Sequence, residues 1–375
     1  MFNKKALIVL SVISGLFMAT FSACSKKTTE PESIKIGAIL PLTGPQAFYG
    51  TPELAGLRVA VDELNVSDPG SGIVLIGEDS KGQAKDAVSA AKKLIEVDKV
   101  KLGVVSTSGM ANAVAPLFAQ AGIPLITICS DNTIPVRYPN AVNIYVNVDI
   151  EQTMMAQYLL SQGVHKLSVL RMNHQVMEQA IGLLKGKSEG KLQIVNDVTF
   201  DPGATDFKAQ VNKVVHDDSE AIYLAGMGGE YYPIIKALRE MKAKKRLFGL
   251  YTFLNDTATK DGVDMFKGVH FTSFANTPDE IAQTAFGKSF ASATGKKPGP
   301  FMDYIFCYES LKIWHGMIKS GVALNKFPEA ARGRTFTTLI GEVKISGDGV
   351  AQVPMAVATY DENGAVKIVY GKTGK

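Results

Sequence analysis

A cluster of small polar residues, STSG at residues 106–109, lies where an apolar run ends and an amphipathic segment begins. At such a strand-to-helix junction, side-chain hydroxyls and unpaired backbone N–H groups can hold an anion. A small carboxylate fits this chemistry, and binding it requires no catalytic group. One of these residues is needed to cap the helix, but the cluster exceeds that need. The pattern therefore predicts an anion-binding loop.

A second polar loop, TICSDN at residues 127–132, ends the next apolar run and adds hydroxyls, carbonyls and one carboxylate. The carboxyl ends of parallel strands meet at one edge of a sheet, so we expect the two loops to be neighbours. Asp131 could anchor a ligand ammonium, or it could cap a turn through an Asx hydrogen bond. The sequence leaves both roles open.

Familiar enzyme signatures do not explain these loops. GKS at residues 186–188 resembles the end of a Walker motif, but Ile181 stands where the first glycine belongs, so we interpret it as a helix C-cap turn. The sequence contains no H-E-x-x-H, and its one G-x-S-x-G match, GKSEG at residues 186–190, includes this same helix-end turn. His174 and Glu178 have helical i, i+4 spacing but lack a visible third metal ligand, which favours a solvated pair. We therefore expect a protein that is not an enzyme and needs no metal or cofactor.

Short apolar runs alternate with amphipathic segments from residue 34 onward, which is typical of parallel βαβ units. The first run, IKIGAIL, is followed by a loop and by a helix that we predict over residues 52–64. Thr51 would be the N-cap of that helix and Pro52 its first residue. The alternation of apolar runs and amphipathic segments is interrupted near Asn147 and then resumes, which predicts a second α/β unit of similar design.

The C-terminal segment has a different pattern. Residues 279–321 are predicted to be mostly helical, and residues 341–369 alternate apolar and polar residues around GDG and ENG turns, which predicts hairpin strands. The fold class is therefore α/β, with two doubly wound lobes. Ligands of such sheets bind at the carboxyl ends of the strands, so we expect a cleft between the lobes.

The N-terminus has the pattern of a secretory signal. Lys4 and Lys5 precede an apolar stretch at residues 6–21, and the sequence FSAC at residues 21–24 resembles a bacterial lipobox. We predict a signal peptide over residues 1–23, a lipidated Cys24 and a flexible tether over residues 24–33. The alternative is ordinary cleavage near Ala23, which would leave a free cysteine.

The charge balance indicates the classes of partner. The chain has 40 basic and 36 acidic residues, and two of the basic ones lie in the predicted signal, so the mature chain is near neutral and a nucleic-acid partner is not expected. Cys129 and Cys307 remain after Cys24. They could pair in an oxidising envelope, but we expect buried free thiols.

Several stretches, taken in order, resemble the leucine/isoleucine/valine-binding proteins, which are type I periplasmic solute-binding proteins of ABC importers. The resemblance implies two Rossmann-like lobes joined by three crossovers, with residues 34–147 and 274–345 in one lobe and residues 148–273 and 346–375 in the other. The stretches that carry it are IKIGAILPLTGPQAFYGTPELAGLRVAVDELN (residues 34–65), GIPLIT (122–127), TFDPGATDFKAQVNKV (199–214) and FCYES (306–310).

The same resemblance implies a set of ligand-binding residues. Thr107 and Ser108 would hold the ligand carboxylate, and the loop that carries Ser130 and Asp131 would contact both carboxylate and ammonium. Tyr49 would line the cleft. The second lobe would contribute residues around Gly226, Met227 and Tyr251.

Two positions depart from the family pattern. Amino-acid-binding members have an acidic residue near Tyr251 for the ligand ammonium, and an aromatic residue is common where Val176 stands. An ammonium without a partner in a closed cleft is costly. Either Asp131 takes over this role, or the ligand lacks an ammonium, as aromatic acids and short amides do.

The resulting hypothesis is an extracytoplasmic, lipid-anchored, monomeric binding protein. It would capture a small amino-acid-like, carboxylate or amide metabolite by lobe closure and deliver it to an ABC permease. The alternatives are a ligand-sensing protein that serves a receptor, and an envelope enzyme that uses the same cleft.

Overall fold

The structure is a computed structural model, and it describes residues 33–255, 259, 262–297 and 303–371. The architecture below belongs to the compact unit that begins at Ile34. The predicted signal peptide, the lipidated Cys24 and most of the tether lie outside the described residues. Within those residues, no helix combines the length and the apolar character that a membrane crossing requires.

The first sheet has five parallel strands in the order β2-β1-β3-β4-β5, so the strand order reverses at β1. Its buried strands are short apolar runs, as expected when helices cover both faces of a sheet. The strands are β1 (Ile34–Leu40), β2 (Ile73–Asp79), β3 (Leu102–Ser106), β4 (Leu125–Ile128) and β5 (Ala141–Asn143). The helices are α1 (Ala47–Ser67), α2 (Ala84–Lys92) with a π-helical continuation (Lys93–Asp98), α3 (Ser108–Gln120) and α4 (Ile134–Arg137).

The second sheet repeats this design, with β6 flanked by β7 and β8 and with β9 and β10 following in parallel. Its strands are β6 (Lys166–Met172), β7 (Gln193–Phe200), β8 (Ala221–Ala225), β9 (Arg246–Gly249) and β10 (Val269–Phe274). Its helices are α5 (Val148–Ser161), α6 (Gln175–Lys187), α7 (Lys208–Val215) and α8 (Tyr231–Glu240).

After β10 the described part of the chain forms four α-helices and a small antiparallel sheet, whose apolar side chains share a core with the first sheet. The helices are α9 (Pro278–Ala282), α10 (Ala285–Thr294), α11 (Asp303–Lys319) and α12 (Phe327–Ala331), and the strands are β11 (Thr335–Thr338), β12 (Gly341–Ile345) and β13 (Ala351–Gln352). The hairpin of β14 (Met355–Tyr360) and β15 (Val366–Tyr370) then completes the second sheet by pairing antiparallel with β10.

The chain therefore passes three times between the two sheets: after β5, after β10 and between β13 and β14. The predicted α/β class, with two doubly wound lobes and three crossovers, is confirmed. The lobe boundaries given above stay a prediction. Cys129 and Cys307 are buried and unpaired, as expected.

The predicted start of α1 is wrong. The helix begins at Ala47 with Gln46 at its N-cap, so Tyr49 belongs to the first turn and Pro52 lies inside the helix. Gly50 lies within the first turn of this helix, although glycine is more typical of loops. Its actual role is close packing: a Cβ at this position would lie 2.3 Å from the carbonyl oxygen of Pro41.

Two smaller differences concern segments next to the strands. No pattern in the sequence indicates β5, because a strand of three residues is too short for a periodic signal. The apolar run at residues 247–253 is not one extended strand, because the strand ends at Gly249 and a 3₁₀ turn (Tyr251–Leu254) follows. This turn places Tyr251 at the carboxyl edge of the second sheet.

Candidate functional site

A cavity of about 600 Å³ lies where the carboxyl ends of strands from both sheets face each other. Loops after β3 and β4 contribute from the first sheet, and loops after β6, β8 and β9 contribute from the second. Residues of α1, α5 and α6, the segments after β2 and β5, and the first residue of α11 also line it. This is the position at which open α/β sheets bind ligands, and the volume suits a small metabolite.

The predicted hydroxyl loops form one wall of the cavity. Thr107, Ser108 and Ser130 all line it. Thr107 has φ 65° and ψ 143°, a left-handed conformation that non-glycine residues rarely adopt, and it immediately precedes α3. Such backbone strain costs about 1–3 kcal/mol and tends to occur at functional sites. We call Thr107, Ser108 and Ser130 the hydroxyl wall. Thr107 and Ser108 lie at the N-terminal end of α3, where the helix dipole favours an anion.

Asp131 does not line this cavity. Its carboxylate accepts hydrogen bonds from the Thr133 N–H at 2.9 Å and the Asn112 amide at 2.8 Å, and it forms an ion pair with Arg137 at 3.3 Å. The bond from Thr133 two residues on is the Asx turn, the second role that the sequence had left open.

The predicted residues of the second sheet are divided. Met227 and Tyr251 line the cavity, whereas Gly226 does not. The Gly226 N–H donates to the Tyr231 hydroxyl at 2.9 Å, and its carbonyl accepts from the Thr252 hydroxyl at 2.9 Å. Gly226 therefore shapes the loop from behind.

Three tyrosines lie at the end of the cavity near α1 and α11. The predicted Tyr49 lines it together with Tyr145 and Tyr251. The hydroxyls of Tyr145 and Tyr251 are 2.9 Å apart, and Tyr145 donates to Asp303 Oδ2 at 3.0 Å. A hydrogen-bonded chain therefore runs from the second sheet to the start of α11.

Sequence reasoning missed three acidic residues of the lining: Glu53 on α1, Glu151 on α5 and Asp303 at the start of α11. Glu53 is 2% exposed and Asp303 is 3% exposed. A signal for Glu53 existed, because it occupies the buried stripe of α1 together with Leu57 and Leu64. A charge within an apolar stripe is uncommon and indicates a special role.

Burial dominates the electrostatics of these carboxyl groups. It raises the pKa of Glu53 to about 7, an effect that the Ser106 hydroxyl partly offsets, and it also raises the pKa of Glu151 to about 7. Burial and then the charge of Glu53 raise the pKa of Asp303 well above its usual range. Among the described residues, Glu53 Oε2 and Asp303 Oδ1 have no hydrogen-bond partner.

The lining of the cavity contains few basic side chains. None of the described residues that line the cavity is a lysine or an arginine, and His174 is the one basic side chain among them. His174 precedes α6 and caps it by accepting the Val176 N–H at 3.2 Å, and both His174 and Glu178 are exposed. Within the described part of the chain, no three His, Cys, Asp or Glu side chains are arranged to hold a metal ion.

The fold and the cavity together define a class of protein. The model of the periplasmic binding protein family matches residues 33–365, and the chain belongs to this family. It is a family of solute-binding proteins, which places the chain outside the cytoplasm.

Individual relatives agree with this assignment. The chain is 25% identical over 350 residues to the Leu/Ile/Val-binding protein BraC3 of Rhizobium johnstonii, a match that covers 91% of this chain and 88% of the relative. The structure of LivJ from Streptococcus pneumoniae in complex with isoleucine aligns with a TM-score of 0.78 at 23% identity, over 90% of this chain and all of the other. A solute-binding protein from Rhodopseudomonas palustris in complex with 3,4-dihydroxybenzoic acid aligns with a TM-score of 0.77 at 19% identity, over 90% and 96% of the two chains.

Proposed function

We propose that this protein is the solute-binding component of an ABC importer. One observation carries the proposal: a cavity of metabolite size lies between two sheets that are connected by three passages of the chain. Bending at these passages would close the two lobes over a ligand and remove it from water. The names of the relatives and structural neighbours, which are amino-acid-binding and ABC transporter proteins, support the same role.

The proposed ligand is a small carboxylate-bearing metabolite. Its carboxylate would bind the hydroxyl wall, where the hydroxyls and the N–H groups at the start of α3 are donors for an anion. Met227 and Tyr251 would contact the ligand from the second sheet. The isoleucine and the 3,4-dihydroxybenzoic acid bound in the two neighbouring structures both carry such a carboxylate.

The membrane anchor is part of this proposal. Lipidation at Cys24 would hold the monomeric protein next to its permease, and the charged, Pro-containing segment after it would act as a tether. We expect the wild-type protein to fractionate with membranes and the C24A variant to be soluble after export. Equal membrane association of the two proteins would refute the anchor without affecting the binding function.

Ligand capture is tested by thermal unfolding of the purified full-length protein in a screen of amino acids, aromatic acids and short amides. A true ligand at 100 times its Kd adds about 2.7 kcal/mol to the free energy of unfolding. For that ligand, S108A should weaken binding at least tenfold, since it removes a donor to a charged group. S310A removes another serine hydroxyl, which is buried outside the cavity and bonded to the Cys307 carbonyl, and should leave binding unchanged. The proposal fails if no small molecule in the screen stabilises the protein.

A further inference from the structure

We infer that the ligand also carries a positively charged nitrogen with N–H groups, and that Glu53 and Asp303 bind it. We call these two residues the acidic corner. The inference rests on the proposed function, because it names the chemistry of the second half of the same ligand. Tyr251 stands where amino-acid-binding members have an acid for the ligand ammonium, and Asp131 does not line the cavity. Glu53 and Asp303 would supply the missing acid.

Helix packing brings the two carboxyl groups together from positions far apart in the chain. Gly56 lies one turn after Glu53 on α1, and a Cβ at this position would be 2.3 Å from the carbonyl oxygen of Tyr304. Only a glycine allows α11 to approach so closely. Since Asp303 directly precedes Tyr304, this approach places Asp303 beside the helix that carries Glu53.

The oxygens of the acidic corner are prepared for a donor that the protein does not supply. Tyr145 donates to Asp303 Oδ2 and fixes that carboxyl group, while Oδ1 has no hydrogen-bond partner among the described residues. Glu53 Oε2 is buried and lacks a partner in the same part of the chain. Buried polar oxygens are normally hydrogen-bonded, and a buried carboxylate is costly unless it is paired. A ligand cation would supply both the charge and the donors.

Glu151, the third acid of the lining, is already engaged. Its Oε1 accepts the Tyr251 N–H at 3.1 Å and the hydroxyl of Thr272. It therefore fixes the 3₁₀ turn that carries Tyr251. The acidic corner has two carboxyl groups available, and the described residues contain no three-ligand arrangement for a metal. Two carboxylates suit an organic ammonium, whose several N–H groups can each reach an acceptor.

Two tyrosines lie at the same end of the cavity as the acidic corner. Tyr145 donates to Asp303, and Tyr49 lines the cavity, where burial and then the charge of Asp303 raise its pKa. Aromatic faces attract cations and repel anions, so the tyrosines favour the same ligand group. A ligand that is purely anionic would instead face Glu53 and Asp303 with no lysine or arginine in the described lining to offset the repulsion.

The test uses matched ligand pairs that differ by the amine alone: leucine and 4-methylpentanoate, phenylalanine and 3-phenylpropanoate, and 5-aminopentanoate and pentanoate. Binding to the full-length protein at pH 8 is measured by thermal shift and calorimetry. We expect the amine-bearing member of at least one pair to bind at least tenfold more tightly than its partner. Equal binding of both members, or preference for the amine-free acid, would overturn the inference while leaving the proposed binding function intact.

Variants assign the preference to these two side chains. E53Q and D303N should each reduce the amine preference at least tenfold. The matched control is E309Q, because Glu309 is also a buried glutamate but lies outside the cavity and accepts the Leu339 N–H at 2.6 Å. An amine preference that survives in both E53Q and D303N would overturn the inference. Stabilisation by Ca²⁺, Mg²⁺ or Zn²⁺ alone that is lost in E53Q would replace the organic cation by a metal.

The outcomes also separate the two proposals. Failure of every carboxylate, amine-bearing or not, would count against the proposed function itself. Binding of carboxylates with no amine preference would count against the acidic corner alone. E53Q is the more informative variant for folding, because it leaves the hydrogen bond from Tyr145 to Asp303 intact.

Discussion

The two ends of the cavity suit ligand groups of opposite charge and are built from different parts of the fold. The hydroxyl wall uses neutral donors in loops directly after two neighbouring strands, and these donors need no counter-charge when the cavity is empty. The acidic corner uses two carboxyl groups on helices, which remain protonated or unpaired until a cation arrives. A zwitterion would bind both ends together, with its carboxylate at the hydroxyl wall and its ammonium at the acidic corner.

The largest expected effect concerns the pH dependence of the unliganded protein. Burial raises the pKa of Glu53 from its ordinary value of 4.5 to about 7, so the folded state holds this proton more tightly than the unfolded state. Below pH 4.5 Glu53 is protonated in both the folded and the unfolded state, so its burial as a neutral group costs no stability. As the pH rises to about 7, the contribution of Glu53 to the free energy of unfolding falls by about 3 kcal/mol. Urea unfolding at pH 4.5 and pH 8 should therefore show E53Q to be more stable than wild type at pH 8 only.

The matched comparison for that experiment is S108A in the hydroxyl wall. It changes no titrating group, so its stability difference from wild type should be the same at both pH values. If S108A and E53Q showed the same pH dependence, the contrast between the two ends of the cavity would be wrong. Glu151 and Glu309, whose pKa values are also raised to about 7, give all three proteins a common decline with pH.

A somewhat smaller effect is expected at the close contact between α1 and α11. G56A would force a methyl group against the carbonyl oxygen of Tyr304, which should cost about 1–3 kcal/mol and disturb the acidic corner. The control is G182A on α6, where a Cβ meets nothing within 4 Å and where alanine should add up to about 1 kcal/mol. Chemical unfolding measures both changes. A neutral G56A would show that the corner does not depend on this contact.

Asp131 should show the smallest effect, and on stability alone. D131A removes an Asx turn and the contact with Arg137, which should lower the free energy of unfolding by about 1 kcal/mol. Ligand affinity should stay within a factor of two of wild type in calorimetry. A tenfold loss of amine binding in D131A would return the ammonium to the second polar loop and would remove the need for the acidic corner.

The contrast between the two ends also explains what could be predicted from the sequence. Thr107, Ser108 and Ser130 follow strands, and strand ends converge by rule, so the pattern places them together. Asp131 follows the same rule but turns away, because a nearby N–H at Thr133 competes for its carboxylate. The alternation of strands and helices predicted the two parallel sheets. It also predicted the hydroxyl wall, because the ends of parallel strands converge.

The acidic corner escaped prediction because its members are separated by most of the chain and lie on helices. Their proximity depends on the packing of α1 against α11, which is decided by a glycine and a backbone carbonyl rather than by a motif. Tyr251 was identified as a departure from the family pattern. Its link through Tyr145 to Asp303 is a tertiary contact that no local pattern encodes.

The most direct measurement of the central claim is a crystal structure of the protein with the amine-bearing carboxylate that binds most tightly. We predict that the ligand carboxylate lies against Thr107 and Ser108. Its nitrogen should lie about 2.7–3.1 Å from both Glu53 Oε2 and Asp303 Oδ1, as in charge-assisted hydrogen bonds. A bound ligand whose nitrogen contacts neither oxygen, or whose carboxylate points toward the acidic corner, would contradict the account.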